Sequence, residues 1–422
     1  MKEYKKRIAD KMLKSKLDAN GAVLIQGPKW CGKTTTAKQM AGSVIYMHDP
    51  KNKEQNISLA KIDPQLILSG KTPRLIDEWQ LAPSLWDAVR FEVDQRDEFG
   101  QFILTGSAVP ADQSKISHSG IGRIAKLTMR PMSLFESLDS NGSISLLKMF
   151  ERTQKLSAIS ELDIAKIAFL VCRGGWPKSI DQVEKIALQQ VIDYCHVLID
   201  SDITSVDNVS RNPERVRLLL RSYARNSASQ ASIPTIKKDM LSNDSDRLDE
   251  DTITSYINAL KKLFVIEDSP AWNPNLRSKT AIRTSDTRYF VDPSIACASL
   301  GIGPQDLIND LNTFGLLFET LCIRDLRIYA ESIDGELYHY RDRNGLECDA
   351  VIHLRNGKWA AVEIKLGDFE IDQAAKNLLK LKNQIDHDKM NQPSFLMVVS
   401  GTKYAYQRED GVFVVPIGCL KE

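Results

Sequence analysis

Over its first 130 residues the chain alternates short, apolar, often β-branched runs with stretches whose apolar side chains recur at helical spacing. The runs fall at 22–25, 43–47, 73–77, 101–105 and 124–129. Between them, 33–40 reads as a helix, and 83–99 as another with Leu85, Trp86, Val89 and Val93 on one face. Continuously apolar runs of this length are strands buried on both faces, and strands alternating with helices build a parallel sheet. Helical spacing returns at Ile164, Ile167, Phe169 and Leu170, and again at Val191, Val197 and Leu198.

A turn at Asn212-Pro213 marks a change of pattern. Short helices are expected from Val216 to Tyr223 and from 232 to 241, where Pro234 stands early, as helix starts tolerate. After the polar turn 242–251, a helix over 252–264 gathers Ile253, Ile257, Leu260 and Leu263 on one face. Two strand-like segments, 264–266 and 288–291, follow it, and the set reads as a winged helix. From 313 to 330 runs a long helix with Phe314, Leu317, Leu321 and Ile328, then strands at 337–340, 347–353 and 359–365. A lysine-rich amphipathic helix, 371–385, and two buried strands, 393–400 and 411–416, complete the pattern.

Composition narrows the classes. With 422 residues the chain has room for about three domains, and 56 lysines and arginines nearly cancel 55 aspartates and glutamates, so no global basic field draws in nucleic acid. The basic run 2–16 also holds Ile8, Met12 and Leu13, which favours a solvated helix face over a nucleic-acid arm. Seven scattered cysteines without a C-x-x-C pair argue for reduced thiols and against a disulfide framework or a zinc knuckle. No run reaches 18 apolar residues and no signal peptide is recognisable, so a cytoplasmic protein with no membrane partner is expected.

Chemistry enters directly after the first strand. Gly27-Pro28-Lys29-Trp30-Cys31-Gly32-Lys33-Thr34, with Thr35 next, fits the phosphate-loop pattern G-x-x-x-x-G-K-[ST] between a strand and a helix. Its glycines let backbone N–H groups turn toward phosphates, Lys33 supplies a point charge, and Thr34 offers a hydroxyl to Mg²⁺. ATP and Mg²⁺ are the expected cofactors. The run ending in Asp77-Glu78 supplies a carboxylate for the metal's water shell, Asp77, and one to polarise the attacking water, Glu78. Thr105-Gly106-Ser107 closes another strand, where Ser107 is the candidate polar sensor, and Arg123 is the candidate arginine finger, in cis or from a neighbouring copy. The plainer readings are a strand-ending turn and a surface arginine.

The order of these motifs with Arg130-Pro131-Met132-Ser133, Arg173-Gly174-Gly175-Trp176-Pro177 and Phe290-Val291-Asp292-Pro293 resembles bacterial and archaeal AAA-type ATP-binding proteins that carry a fused C-terminal domain of unknown function. That resemblance implies an open αβα sheet with an extra strand between the two nucleotide-site strands. The expected organisation is an AAA-type P-loop ATPase domain with a helical lid at 1–210, a winged-helix-like domain at 211–305 and a nuclease-like domain at 306–422.

For the last of these, Asp349 and the Glu363-Ile364-Lys365 strand resemble the PD-(D/E)xK nuclease superfamily, an α/β restriction-endonuclease-like fold. The resemblance makes Asp349 and Glu363 metal ligands, Lys365 the water-orienting base, and Glu319 a helix-borne auxiliary acid. No proline precedes Asp349, since Glu347-Cys348 stands there, and a hairpin with a Glu-Lys cross-face pair or an inactive relic of the fold are the competing readings.

Function is therefore expected to be a Mg-dependent ATPase coupled to a nuclease-like domain acting on nucleic acid. The alternative is a nucleotide-dependent switch or scaffold whose C-terminal domain binds partners without cleaving, and a third reading is an ATP-controlled DNA-binding regulator. Arg277, Lys279 and Arg283 are the candidate phosphate contacts of the middle domain, opposed by Asp244, Asp246, Asp249, Glu250 and Asp251. A finger in trans would require a homo-oligomer.

Overall fold

The computed structural model describes residues 3–106, 120–207, 209–240, 249–274, 285–385 and 390–422. The chain forms two compact units, one of residues 1–131, 197–212 and 257–265, the other of 132–196, 213–256 and 266–422. Among the described residues no helix is long and apolar enough to cross a membrane.

The first unit is built on β1 (Ala22–Gln26), β2 (Ser43–Tyr46), β3 (Arg74–Asp77), β4 (Phe102–Gly106) and β5 (Ile124–Thr128), in the order β2-β3-β4-β1-β5. All four pairings are parallel, and β4 separates β1 from β3, the place expected for the extra strand. Alternation along the strands sends Leu24, Ile76, Phe102 and Leu104 to one face, where Trp79 and Trp86 cover them. Val23, Ile25, Leu75 and Ile103 go to the other, against Leu13 and Leu17 of the helix Ile8–Ala19. Each such side chain contributes about 1.5–3 kcal/mol by leaving water. The N-terminal basic run thus forms a packed helix, with Ile8, Ala9, Leu13 and Leu17 buried.

The second unit holds a seven-stranded sheet and a two-stranded one. Here β6 is Ile144–Ser145, β7 Ala158–Ile159, β8 Gly335–Arg341, β9 Glu347–Leu354, β10 Trp359–Lys365, β11 Leu396–Ser400, β12 Tyr404–Gln407, β13 Phe413–Pro416 and β14 Leu420–Lys421. The seven-stranded order is β7-β12-β13-β11-β10-β9-β8, and the other sheet is β14 with β6. Strands β8, β9 and β10 form an antiparallel meander, the helix Ile371–Gln384 then crosses over, and β11 pairs parallel with β10. Preceded by the helix Leu311–Ser332, this gives the chain order helix, three strands, helix, strand.

The chain passes between the units at 131/132, 196/197 and 212/213, so the segment 1–210 is shared between both. Strand β7 pairs with β12 and β6 with β14, so 132–196 are stitched by backbone hydrogen bonds into the C-terminal sheet. The helix Ile164–Arg173 and most of Glu184–Val197, expected as the ATPase lid, therefore belong to the second unit. In the middle segment the helices are Pro213–Arg225, Ile233–Met240 and Glu250–Lys262, and the two expected wing strands meet only as antiparallel bridges, Ile266 with Phe290 and Ser269 with Thr287.

Three distant motifs close on one buried ionic knot. Arg324 pairs with Asp292 at 2.8 Å and with Asp325 at 2.7 Å. Asp292 also accepts from the Gly175 N–H at 2.9 Å, and Asp325 from the Leu134 N–H at 2.9 Å. Trp176 adds a 2.9 Å bond from Nε1 to Ser294 Oγ. Gly175 is required because a Cβ there would lie 2.0 Å from the Met132 carbonyl oxygen. Burial pushes the Asp325 carboxyl up to about 6 against the pull of Arg324, while the two carboxylates outweigh burial at Arg324 and hold its guanidinium charged.

Candidate functional site

Strand β1 delivers the chain to Gly27 at the carboxyl edge of the parallel sheet, where ligands of open α/β sheets bind. Gly27 has φ 147°, and a Cβ on it would stand 2.0 Å from the Met129 carbonyl oxygen, so the loop begins in close backbone contact with the end of β5. Trp30 and Gly32 also take positive φ, 69° and 100°, curling the loop before the helix Lys33–Lys38. Lys33 is buried, and its Nζ donates to the carbonyl oxygens of Gly27 at 2.9 Å and Pro28 at 2.7 Å, which aims the ammonium along the loop.

The neighbouring strands add the carboxylates. Asp77 and Thr105 are register partners across β3 and β4, so their side chains share a face. Asp77 Oδ1 accepts from Thr34 Oγ1 at 2.6 Å and from Thr105 Oγ1 at 2.5 Å, joining the phosphate loop to both strands. Glu78 is left-handed at φ 57° and half-buried, with its carboxylate held by the Gln80 amide. A strained backbone of this kind persists where the surroundings over-determine it, as functional sites do. The donor set of Thr34 hydroxyl and Asp77 carboxylate is all oxygen and suits Mg²⁺, which takes one or two carboxylates and fills the rest with water and phosphate oxygens.

Arg123 is not part of this group. Ser107 lies outside the described residues. Arg123 precedes β5, whose first residue Ile124 pairs with Ala22, so it stands at the opposite edge of the sheet from Gly27. A five-residue strand separates the edges by roughly 16 Å, and Arg123 Nε is instead bound to Asp94 Oδ1 at 2.8 Å on an exposed surface. That placement does not bring Arg123 to the phosphate loop of its own chain.

Arg7 and Asp202 join the site without having been foreseen. The buried Arg7 guanidinium donates to the carbonyl oxygens of Cys31 at 2.7 Å and Arg130 at 2.8 Å, clamping the phosphate loop to the chain after β5. Lys29 Nζ meets Asp202 Oδ1 at 2.7 Å.

A second cluster lies in the other unit. Glu363 and Lys365 sit two apart on β10 and face the same side, beside Asp349 on β9. Lys365 Nζ lies 3.0 Å from Glu363 Oε2 and 3.2 Å from Asp349 Oδ2, and the Ile364 N–H donates to Asp349 Oδ2 at 2.7 Å. They open on a cleft of about 500 Å³ whose rim includes Asn344, Asn377 and Lys380. Glu319 lies behind them, accepting from the Tyr289 hydroxyl at 2.5 Å.

Burial, then the charge of Asp349, pushes Glu363 up to about 8. The same causes in the same order raise Glu319 well above the carboxylate range. Burial alone would lower Lys365, but Asp349 and Glu363 outweigh it, so its ammonium stays protonated. A lysine so held donates hydrogen bonds to both carboxylates. Among the described residues no group of three or more His, Cys, Asp or Glu is arranged to hold a metal ion.

Three known families match parts of the chain. Residues 19–138 match the model of an AAA domain. With the phosphate loop, that match makes this part of the chain an AAA-type ATP-binding domain. Residues 164–306 match a domain of unknown function (DUF8612), and 314–420 match another (DUF4143). The first of these includes 197–212 and 257–265, which the fold assigns to the unit of the phosphate loop.

An uncharacterized protein of Mycobacterium bovis is 24% identical over 367 residues, covering 85% of this chain and 74% of that protein, and one of Mycobacterium tuberculosis matches to the same extent. Among solved structures, a Walker-type ATPase of Pyrococcus abyssi has a TM-score of 0.41 at 14% identity, covering 69% of this chain and 94% of that one. A DNA replication initiation factor has a TM-score of 0.25 at 14% identity, covering 60% and 86%. Overlaps of that size add nothing to what the residues themselves show.

Proposed function

We propose that this chain is a Mg²⁺-dependent ATPase whose nucleotide state is coupled to a nuclease-like domain acting on nucleic acid. The observation that carries the ATPase reading is the bonding of Asp77 to Thr34 and Thr105 beside the Lys33 loop. In this reading Gly27 to Thr35 enclose the phosphates, and Lys33 bonds their oxygens. Thr34 and Asp77 hold Mg²⁺, which would screen the phosphate charge. Glu78, left-handed at the end of β3, orients the attacking water and receives its proton. Glu78→Gln is expected to keep ATP affinity and slow hydrolysis on the order of a hundredfold. Wild-type turnover in that variant, measured by phosphate release, overturns the assignment.

The nuclease-like reading rests on the grouping of Asp349, Glu363 and Lys365 at the cleft and on the helix, three-strand, helix, strand order around it. Asp349 and Glu363 are two carboxylates, a number that suits Mg²⁺ completed by water and phosphate oxygens. Lys365 stands between them, and were Asp349 and Glu363 to hold a cation, its ammonium would be free to orient water. Incubating the full chain with single- and double-stranded DNA and RNA, with Mg²⁺ or Mn²⁺ and with or without ATP, tests this. Cleavage is expected from the wild type and not from Asp349→Ala. No cleavage under any condition, with ATP hydrolysis intact, favours a nucleotide-dependent switch whose C-terminal domain binds partners.

Arg123 would act toward a neighbouring copy of the chain, where its exposed guanidinium would leave Asp94. The middle segment's helices and bridges resemble a winged helix, and its candidate phosphate contacts, Arg277, Lys279 and Arg283, lie outside the described residues, as do Asp244 and Asp246. Seven free, buried cysteines suit the reducing interior of a cell.

A further inference from the structure

Residues 197–212 belong to the unit that carries the phosphate loop, although the chain before and after them, 132–196 and 213–256, belongs to the other. This strap opens as a π-helical turn, Leu198–Asp202, and continues as the single turn Ile203–Ser205. Turns of π type are rare and frequently mark functional sites. Leu198, Ile199, Ile203 and Val206 are buried. Arg211 locks the far end, donating to the Ile203 carbonyl oxygen at 2.9 Å and to both carboxylate oxygens of Asp207 at 2.6 and 2.8 Å.

At the end of the π turn, Asp202 meets the third residue of the phosphate loop. Lys29 Nζ lies 2.7 Å from Asp202 Oδ1, and the aspartate side chain is only 12% exposed where the lysine is 47% exposed. An ion pair with one member this buried is screened less than a surface pair. A γ-phosphate in the loop brings close to two negative charges and three acceptor oxygens. It competes with Asp202 for the Lys29 ammonium and repels the carboxylate.

We propose that Asp202 is a positioning residue that senses the γ-phosphate through Lys29: triphosphate draws the lysine from Asp202 and loosens the strap, and diphosphate leaves the pair closed. The proposal rests on the nucleotide-binding reading of the loop. The strap is continuous at both ends with chain of the second unit, so its loosening is a covalent route from the nucleotide to that unit. The arrangement is a two-position element biased by ligand charge, the physical content of coupling between sites.

The test uses the full chain, with ATP in a non-hydrolysable form and ADP as probes, in wild type, Asp202→Asn, Lys29→Met and the double variant. Asp202→Asn keeps the side chain's size and removes its charge. It is expected to tighten triphosphate binding roughly 5-fold, change ADP affinity less than twofold, and have no effect once Lys29 is methionine. Amide exchange over 198–212 in the wild type is expected to quicken with triphosphate and not with ADP. Equal shifts for both nucleotides, an effect that persists with Lys29→Met, or exchange indifferent to the γ-phosphate would each overturn the proposal. A wild type that binds neither nucleotide removes the reading beneath it instead, an outcome distinct from all three.

Discussion

Replacing Lys33 by alanine is expected to weaken ATP binding at least ~100-fold, the equivalent of about 2.7 kcal/mol. The ammonium is buried, and it is fixed by two carbonyl oxygens at 2.9 and 2.7 Å, so its desolvation and alignment are already met before phosphate arrives. Phosphate then gains a charge-assisted bond of the stronger kind, roughly twice a neutral one. Alanine keeps the loop's glycines but removes the ammonium together with its bonds to the Gly27 and Pro28 carbonyl oxygens. Titration of the variant with ATP, beside a circular dichroism spectrum confirming its fold, checks this. A dissociation constant within threefold of the wild type would show that the loop does not hold phosphate through Lys33.

Much of the first unit was legible because its signals are local. Five apolar runs became five parallel strands, and the spacing of Leu85, Trp86, Val89 and Val93 became the buried face of the helix Ser84–Arg96. The phosphate loop and Asp77 were readable because a strand-loop-helix fixes their geometry within a few residues. What escaped depends on chain segments far apart. Asp202 reaches Lys29 across 173 residues, and nothing beside Asp202 in sequence announces it. Arg7 sits in a lysine-rich helix where periodicity alone makes it one more solvated cation, yet it is buried on Cys31 and Arg130.

The place of Arg123 could not be read for a related reason. A residue before a strand lies at the amino edge of a parallel sheet, and only the pairing of Ile124 with Ala22 shows that edge to be the one away from Gly27. The turn signal at Asn212-Pro213 falls where the chain passes from one unit to the other, whereas the passage into the second unit at 132 carries no such signal. Backbone pairing of Ala158–Ile159 with Tyr404–Gln407 is invisible to such signals, since a two-residue strand has no period. In the C-terminal cleft the order of Glu319, Asp349, Glu363 and Lys365 was readable, whereas the protonation of Lys365 was not. That depends on how many carboxylates surround it in space.

The motifs that looked diagnostic without an evident chemistry, at 130–136, 173–177 and 290–293, meet around Arg324, and a second large effect is expected there. Arg324→Met leaves Asp292 and Asp325 facing each other's field in a dry interior, since both are fully buried and Arg324 is their ion-pair partner. Removing one member of a buried pair costs about 3–5 kcal/mol, because the charge left behind is neither solvated nor neutralised. The loss should fall on the second unit, read as faster amide exchange in the helix Leu311–Ser332 and a lower denaturant midpoint. Replacing Asp292 and Asp325 by asparagine in the same variant removes the stranded charges and is expected to recover part of the loss. Sign and partner dependence separate this from simple cavity formation. If Arg324→Met alone unfolds at the wild-type denaturant concentration, the knot contributes no net stability, and its three motifs must be explained by the close backbone approach at Gly175 alone.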